Sequence, residues 1–248
     1  MQQLYGLIGY PLSHSWSGKY FAEKFRKEQI TDCHYELFPI KTIEELPELL
    51  AEYPHLKGLN VTIPYKEVVI PLLDHVDEAA ASIGAVNTIK IFRQDDKIIT
   101  HGYNTDVIGF EKSLEKLGVA IPVSALVLGT GGASKAVAWI LQKYQCEVFY
   151  ATRRVREKNH RSYDELTDLV DFTLIVNTTP LGMVPNDQQA PPIPYDTLQS
   201  HQVLIDLVYN PQETLFLKKG KQQGCQIMNG LYMLEQQAEG AWRIWQGS

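Results

Sequence analysis

Apolar positions along the chain fall into short runs of two periods. Residues 4–9 are apolar almost throughout and predict a buried opening strand. Residues 34–38 alternate and stop at Pro39, a second strand. Residues 56–63 form a β-branched run ended by Pro64, and 83–92 and 98–102 predict a hairpin across the turn at 94–97. Between them, Tyr20, Phe21 and Phe25 give 19–28 a helical spacing. Thr42 with Glu45 reads as a capping box opening a helix over 42–53. A helix is expected over 68–73, a helix or turn over 77–82, and a helix over 107–117. Beyond 120 the pattern becomes regular. Strands at 125–128, 146–151, 172–176, 203–209 and 225–228 alternate with helices at 133–141, 162–169, 214–223 and 229–242. Strands alternating with helices predict an α/β chain.

Composition narrows what such a chain does. The 248 residues allow one large domain or two ordinary ones, and 44% hydrophobic residues suit a packed core. A net charge of -6 with no basic stripe argues against nucleic acid as a partner. Cys33, Cys146 and Cys225 are odd in number and lack metal-ligand spacing, so a reduced, cytoplasmic setting is expected. The seven histidines form no metal-binding pair, and the apolar N-terminal run is too short for a signal or membrane segment.

The chemistry gathers at a few places. After the strand at 125–128 come Gly129, Thr130, Gly131, Gly132 and Ala133, then a helical run. Glycines let the backbone turn sharply and approach a ligand closely. A helix beginning there offers free N–H groups to a phosphate. The pattern Gly129-x-Gly131-x-x-Ser134 departs from the dinucleotide fingerprint at its third glycine, where serine is still small enough for close packing. A purely structural glycine turn is the alternative. Ser13 and Ser15 precede a helix, either as caps or as hydroxyls gripping a carboxylate. Asn60 and Thr62 alternate on one strand and so share a face, where polar side chains need partners or a ligand. Lys66 follows the strand end, as a solvated charge or an acid/base group. Asn87 sits on the next strand, and Asp106 in the first turn of a helix, where dipole compensation alone would suit it.

Five motifs then stand in order: Gly-Tyr-Pro-Leu-Ser-His-Ser at 9–15, Asn-Val-Thr-Ile-Pro-Tyr-Lys at 60–66, Gly-Ala-Val-Asn-Thr at 84–88, Asn-Thr-Asp at 104–106, and the glycine turn. Together they closely resemble shikimate dehydrogenase over nearly the whole chain, on to Gly230 and Gln237. The resemblance implies an α/β substrate domain over 1–104, a Rossmann-type NADP domain over 105–230, and a C-terminal helix over 231–248 returning to the substrate domain, with a cleft between the two domains. It implies that Ser13 and Ser15 hold the carboxylate of shikimate or 3-dehydroshikimate. It assigns the ring hydroxyls to Asn60, Thr62, Asn87 and Asp106, and acid/base work to Lys66 paired with Asp106. Tyr209 and Gln237 become substrate contacts. Glu78, Leu207, Thr178 and Gly230 fall on the cofactor side.

Past the strand at 146–151 comes Thr152-Arg153-Arg154, with Arg156 and Lys158 behind. NAD enzymes place an acid here for the ribose hydroxyl. Arginine suits a 2′-phosphate instead, so NADP is expected over NAD. The family usually shows Asn-Arg-Thr here, and only the central Arg153 is kept. The segment from 153 to 170 is short for a crossover, with room for one helix near 162–169, and a helix, a strand or both are expected to be missing or degenerate. The leading expectation is reversible, NADP-dependent reduction of 3-dehydroshikimate to shikimate by a cytoplasmic monomer or homodimer. The alternatives are a quinate/shikimate dehydrogenase using NAD and a non-catalytic, NADP-sensing module.

Overall fold

The computed structural model describes residues 2–13, 15–95 and 97–247. His14 of the first motif and Asp96 of the hairpin turn lie outside the described residues. Two compact units are present: residues up to Thr105 with those from Ala238 onward, and Asp106–Gln237.

The first unit contains β1 (Gln3–Ile8), α1 (Trp16–Lys27), β2 (Cys33–Phe38), α2 (Leu46–Glu52), β3 (Leu56–Val61), β4 (His75–Val76), α3 (Glu78–Ile83), β5 (Thr88–Gln94) and β6 (Lys97–Tyr103). The strands form one sheet in the order β2-β1-β3-β5-β6-β4. β1 pairs parallel with β2 and β3, while β3, β5 and β6 pair antiparallel. Successive strand residues face opposite sides. Tyr5 and Leu7 therefore join one core cluster, with Phe21, Tyr35 and Trp245. Ile8 joins another, with Leu46, Leu56, Leu59, Val61 and Ile89. The Trp245 indole N–H donates to the Ile89 carbonyl at 3.0 Å, and Lys24 pairs with Glu239 at 2.9 Å.

The second unit contains α4 (Asp106–Leu117), β7 (Ser124–Leu128), α5 (Gly132–Lys143), β8 (Glu147–Ala151), β9 (His160–Arg161), β10 (Leu174–Asn177), β11 (Val203–Asp206), α6 (Leu215–Gln222), β12 (Gln226–Met228) and the start of α7 (Leu231–Gln246). Its sheet runs β12-β11-β10-β7-β8-β9, parallel throughout. This is the doubly wound Rossmann order, and its reversal point lies between β7 and β10.

Several elements differ from their sequence reading. The expected helix at 68–73 is a turn followed by a single 3-10 turn, Ile70–Leu72, because Pro71 offers no N–H to extend it. β3 stops at Val61, so Thr62 lies just past the strand rather than on it. The strand expected from 83 starts only at Thr88, since residues up to Ile83 are helical and Gly84 caps them at φ 70. Asn87 is thus a loop residue. β11 ends at Asp206, leaving Leu207 and Tyr209 beyond it. The expected helix at 162–169 is only the 3-10 turn Tyr163–Glu165. Its capping box forms, but Leu166 leaves helical geometry at ψ 89, and Thr167 and Asp168 beyond it are poor helix formers. The crossover thus keeps a two-residue strand, β9, and a single 3-10 turn in place of a helix.

Candidate functional site

In the first unit the polar residues of the middle motifs meet at one end of the central strands β3 and β5. Asn60 stands opposite Thr88 in the antiparallel register of β3 and β5. Asn60, Asn87, Thr88, Asn104 and Thr105 are all buried. The Asn87 side-chain oxygen accepts from the Thr105 backbone N–H at 2.7 Å and from the Thr88 hydroxyl at 3.1 Å. Asn60 Nδ2 lies 3.3 Å from Thr88 Oγ1 and 3.4 Å from the Asn87 carbonyl. Its Oδ1 accepts from the Tyr35 hydroxyl at 2.8 Å. Asn104 donates to the Ala85 carbonyl at 2.9 Å, fixing the loop that carries Asn87. Neutral buried groups matched this way hold their orientation, because an unpaired one is costly.

The other expected residues are more open. Ser15 is the N-cap position of α1, yet its side chain makes no cap bond, so its hydroxyl is not used in the way the capping alternative required. Ser13 is exposed, and Thr62 and Lys66 are half-buried. The Lys66 carbonyl accepts from Val86 N–H at 2.7 Å, tying the lysine's backbone to the loop before Asn87. Glu78 is exposed in the first turn of α3, where Asp77 supplies the cap by accepting from Ala80 N–H at 2.9 Å.

In the second unit the glycine turn is built at the reversal point. Gly129 has φ 98, a left-handed conformation, and a Cβ there would lie 2.9 Å from Thr179 and 3.2 Å from Thr178. Thr178 donates to the Leu128 carbonyl at 2.7 Å. Around Gly131 and Gly132 a Cβ would meet nothing within 4 Å, so the start of α5 faces open space. Thr130 and Ala133 are exposed beside it. Ser134 is buried and donates to the Gly131 carbonyl at 2.6 Å, which agrees with its reading as a small packing residue.

Beside that helix start opens a polar groove of about 840 Å³. Thr130, Thr152, Arg153 and Arg154, the residues assigned to the cofactor, line it together with Arg156. Lys135, Tyr150, Glu157 and His160 also line it and were not foreseen. Lys135 is in the first turn of α5, a position that its sequence distance from Gly132 does reveal. His160 belongs there only because β9 pairs with β8. Its Nδ1 accepts from Arg156 N–H at 3.3 Å. Thr152 Oγ1 accepts from Arg154 N–H, also at 3.3 Å.

Under the turn lies a buried carboxylate. Asp206 accepts from Asn177 at 2.9 Å, from Val208 N–H at 3.0 Å and from the Thr214 hydroxyl at 2.5 Å. Burial pushes its pKa up from 3.8 to about 6, against the lowering effect of these donors. Leu207 and Gly230 meet directly: a Cβ on Gly230 would collide with the Leu207 carbonyl oxygen, so packing requires this glycine. Tyr209 is half-buried, and Gln237 is buried on α7 with its amide donating to the Leu234 carbonyl at 2.9 Å.

Among the described residues no helix is long and apolar enough to cross a membrane, and no group of three His, Cys, Asp or Glu could hold a metal. The family described as shikimate dehydrogenase substrate binding domain matches residues 7–89. A relative from Methanosphaera stadtmanae, named shikimate dehydrogenase (NADP(+)), is 37% identical over 262 residues, covering 98% of this chain and 90% of its own. A crystal structure of a shikimate dehydrogenase in complex with NADP+ superposes with TM-score 0.88 at 34% identity, over 100% of this chain and 91% of that one. A shikimate dehydrogenase from Thermus thermophilus, in complex with NADP(H) and shikimate, gives 0.85 at 30% identity, over 100% and 94%.

Proposed function

The chain belongs to the shikimate dehydrogenase family, and from that premise we propose that it catalyses the NADP-dependent, reversible reduction of 3-dehydroshikimate to shikimate. The observation that carries the cofactor half is the arginine-lined groove beside the open start of α5, at the reversal point of a Rossmann sheet. The residues fit the cofactor. The open N–H groups from Gly131 to Ala133 suit a pyrophosphate. Arg153, Arg154 and Arg156 suit a 2′-phosphate, with Thr130 and Thr152 as neutral contacts. Glu78, Thr178, Leu207 and Gly230 belong to the nicotinamide side, and Gly230 acts there by letting the chain pass close to Leu207.

When bound, the nicotinamide supplies or accepts the hydride. The chain's own residues do the rest. Ser13 and Ser15 hold the carboxylate through hydroxyls. Asn60, Thr62, Asn87 and Asp106 orient the ring hydroxyls, with Tyr209 and Gln237 completing the contacts. Lys66 stabilises the charge developing on the C3 oxygen and delivers the proton to it, and Asp106 keeps the ammonium oriented. In the reverse direction Lys66 takes that proton back. A monomer or homodimer belongs to the same reading, as does a reduced cytoplasm, which three buried cysteines without disulfides suit.

Absorbance of the reduced nicotinamide tests the proposal, on mixing protein and shikimate with NADP and then with NAD. Turnover is expected with NADP and slower with NAD. No turnover with either cofactor refutes the enzyme reading and favours a sensing module. Faster turnover with NAD refutes the cofactor choice.

A further inference from the structure

Tyr35 lies outside every motif, yet its hydroxyl reaches the amide of Asn60 across the sheet. The direction of each bond in this cluster follows from fixed groups. Thr105 N–H can only donate, so Asn87 presents its oxygen there, at 2.7 Å. The Asn87 backbone carbonyl can only accept, and Asn60 Nδ2 faces it at 3.4 Å. A flipped Asn60 amide would set two acceptors against each other. Asn60 Oδ1 therefore points away from the cluster, and at 2.8 Å Tyr35 must be the donor to it. The Tyr35 ring stacks on Phe21 with centroids 4.4 Å apart. Tyr35 is thus held on both its polar and its apolar side.

We infer that Tyr35 is a positioning residue for substrate recognition, which occupies the oxygen of Asn60 so that the amide keeps its N–H₂ on Thr88 and the Asn87 carbonyl and holds the cluster that presents Asn87. The inference rests on the proposed function. It makes a commitment that reading does not: Tyr35 acts on shikimate only through the amide of Asn60. Without the Tyr35 hydroxyl, Asn60 Oδ1 is left buried and unpaired, and the amide loses the bond that fixes it against Thr88 and Asn87.

The test is a double-mutant cycle with steady-state kinetics and an amide signal. Tyr35→Phe is expected to raise KM for shikimate about tenfold, the cost of one unsatisfied buried group, with KM for NADP unmoved. In an Asn60→Ala background the same substitution is expected to add nothing to KM for shikimate, because its route is gone. A merely structural Tyr35 would raise KM equally in both backgrounds, or move both KM values together, and either result overturns the inference. The side-chain N–H₂ resonances of Asn60 in the ligand-free protein give a readout apart from activity. They are expected to shift and broaden in Tyr35→Phe, and unchanged resonances overturn the inference. If the unmodified chain turns over no shikimate, the functional reading fails, while these resonances still decide whether Tyr35 holds the amide.

Discussion

The two polar regions proposed for recognition are built on opposite principles. The amide cluster of the first unit is buried, neutral and internally hydrogen-bonded, with Asn60, Asn87, Thr88 and Thr105 fixing one another. The groove of the second unit is open and charged, with Arg153, Arg154 and Arg156 all exposed. Buried neutral networks discriminate by geometry, since each mismatched group loses its partner in a low dielectric. Exposed charges attract from a distance, tolerate movement and are screened by salt. A substrate told apart by the placement of its hydroxyls suits the first design. A cofactor distinguished by one phosphate suits the second.

The largest expected effect separates chemistry from recognition on the substrate side. Lys66→Ala is expected to lower kcat by roughly 10²–10⁴, the range of a lost general acid. Shikimate binding, measured by calorimetry, should remain detectable, because the amide cluster is untouched. A variant with near-normal rate would remove Lys66 from its proposed role.

A second experiment asks whether the open cofactor side also depends on a buried polar support. Asp206 holds Asn177, whose side-chain oxygen in turn accepts from the Thr179 backbone N–H at 3.0 Å beside the Gly129 turn. Folding raises the Asp206 pKa from 3.8 to about 6, so the native state keeps this proton more tightly than the unfolded chain does. That contribution to stability is complete below about pH 4 and is lost as pH rises through about 6. The loss amounts to about 3 kcal/mol. Asp206→Asn carries no such titration. Urea unfolding from pH 4 to pH 7 should therefore show the variant gaining by that amount relative to the unmodified chain. Parallel pH curves for the two proteins would mean that Asp206 is not held in this way.

What the sequence revealed divides along the same line. The glycine turn, its following helix and the arginines after β8 are contiguous in the chain, and local residue chemistry was enough to find them. The alternating strands likewise placed Asn60 and Lys66 near one strand end. The bond between Tyr35 and Asn60 joins residues 25 positions apart on strands separated by β1, so only the sheet order β2-β1-β3 brings it about. His160 enters the groove through a two-residue strand with no periodicity to announce it. The expected helices at 68–73 and 162–169 failed for local reasons. Pro71 stops one, and a capping box too short to propagate stops the other, whose neighbours Leu166 and Leu169 are drawn into core packing instead.

The smallest expected effect is the most specific to the contrast. Arg153→Ala should raise KM for NADP roughly tenfold, the worth of about one charge-assisted hydrogen bond, and leave KM for NAD nearly unmoved. Ionic strength sharpens the same point without mutation. Screening lengths fall from roughly 10 Å at 0.1 M salt to about 3 Å at 1 M, which weakens exposed charges and spares buried neutral contacts. KM for NADP should therefore climb with added salt in the unmodified chain and climb less steeply in Arg153→Ala. KM for shikimate should stay comparatively flat in both, because hydroxyls and amides supply most of the contacts in the proposed site and hold its carboxylate. If shikimate and NADP showed the same salt dependence, recognition on the substrate side would have to rest on long-range charge, and the division between a geometric and an electrostatic region would be wrong.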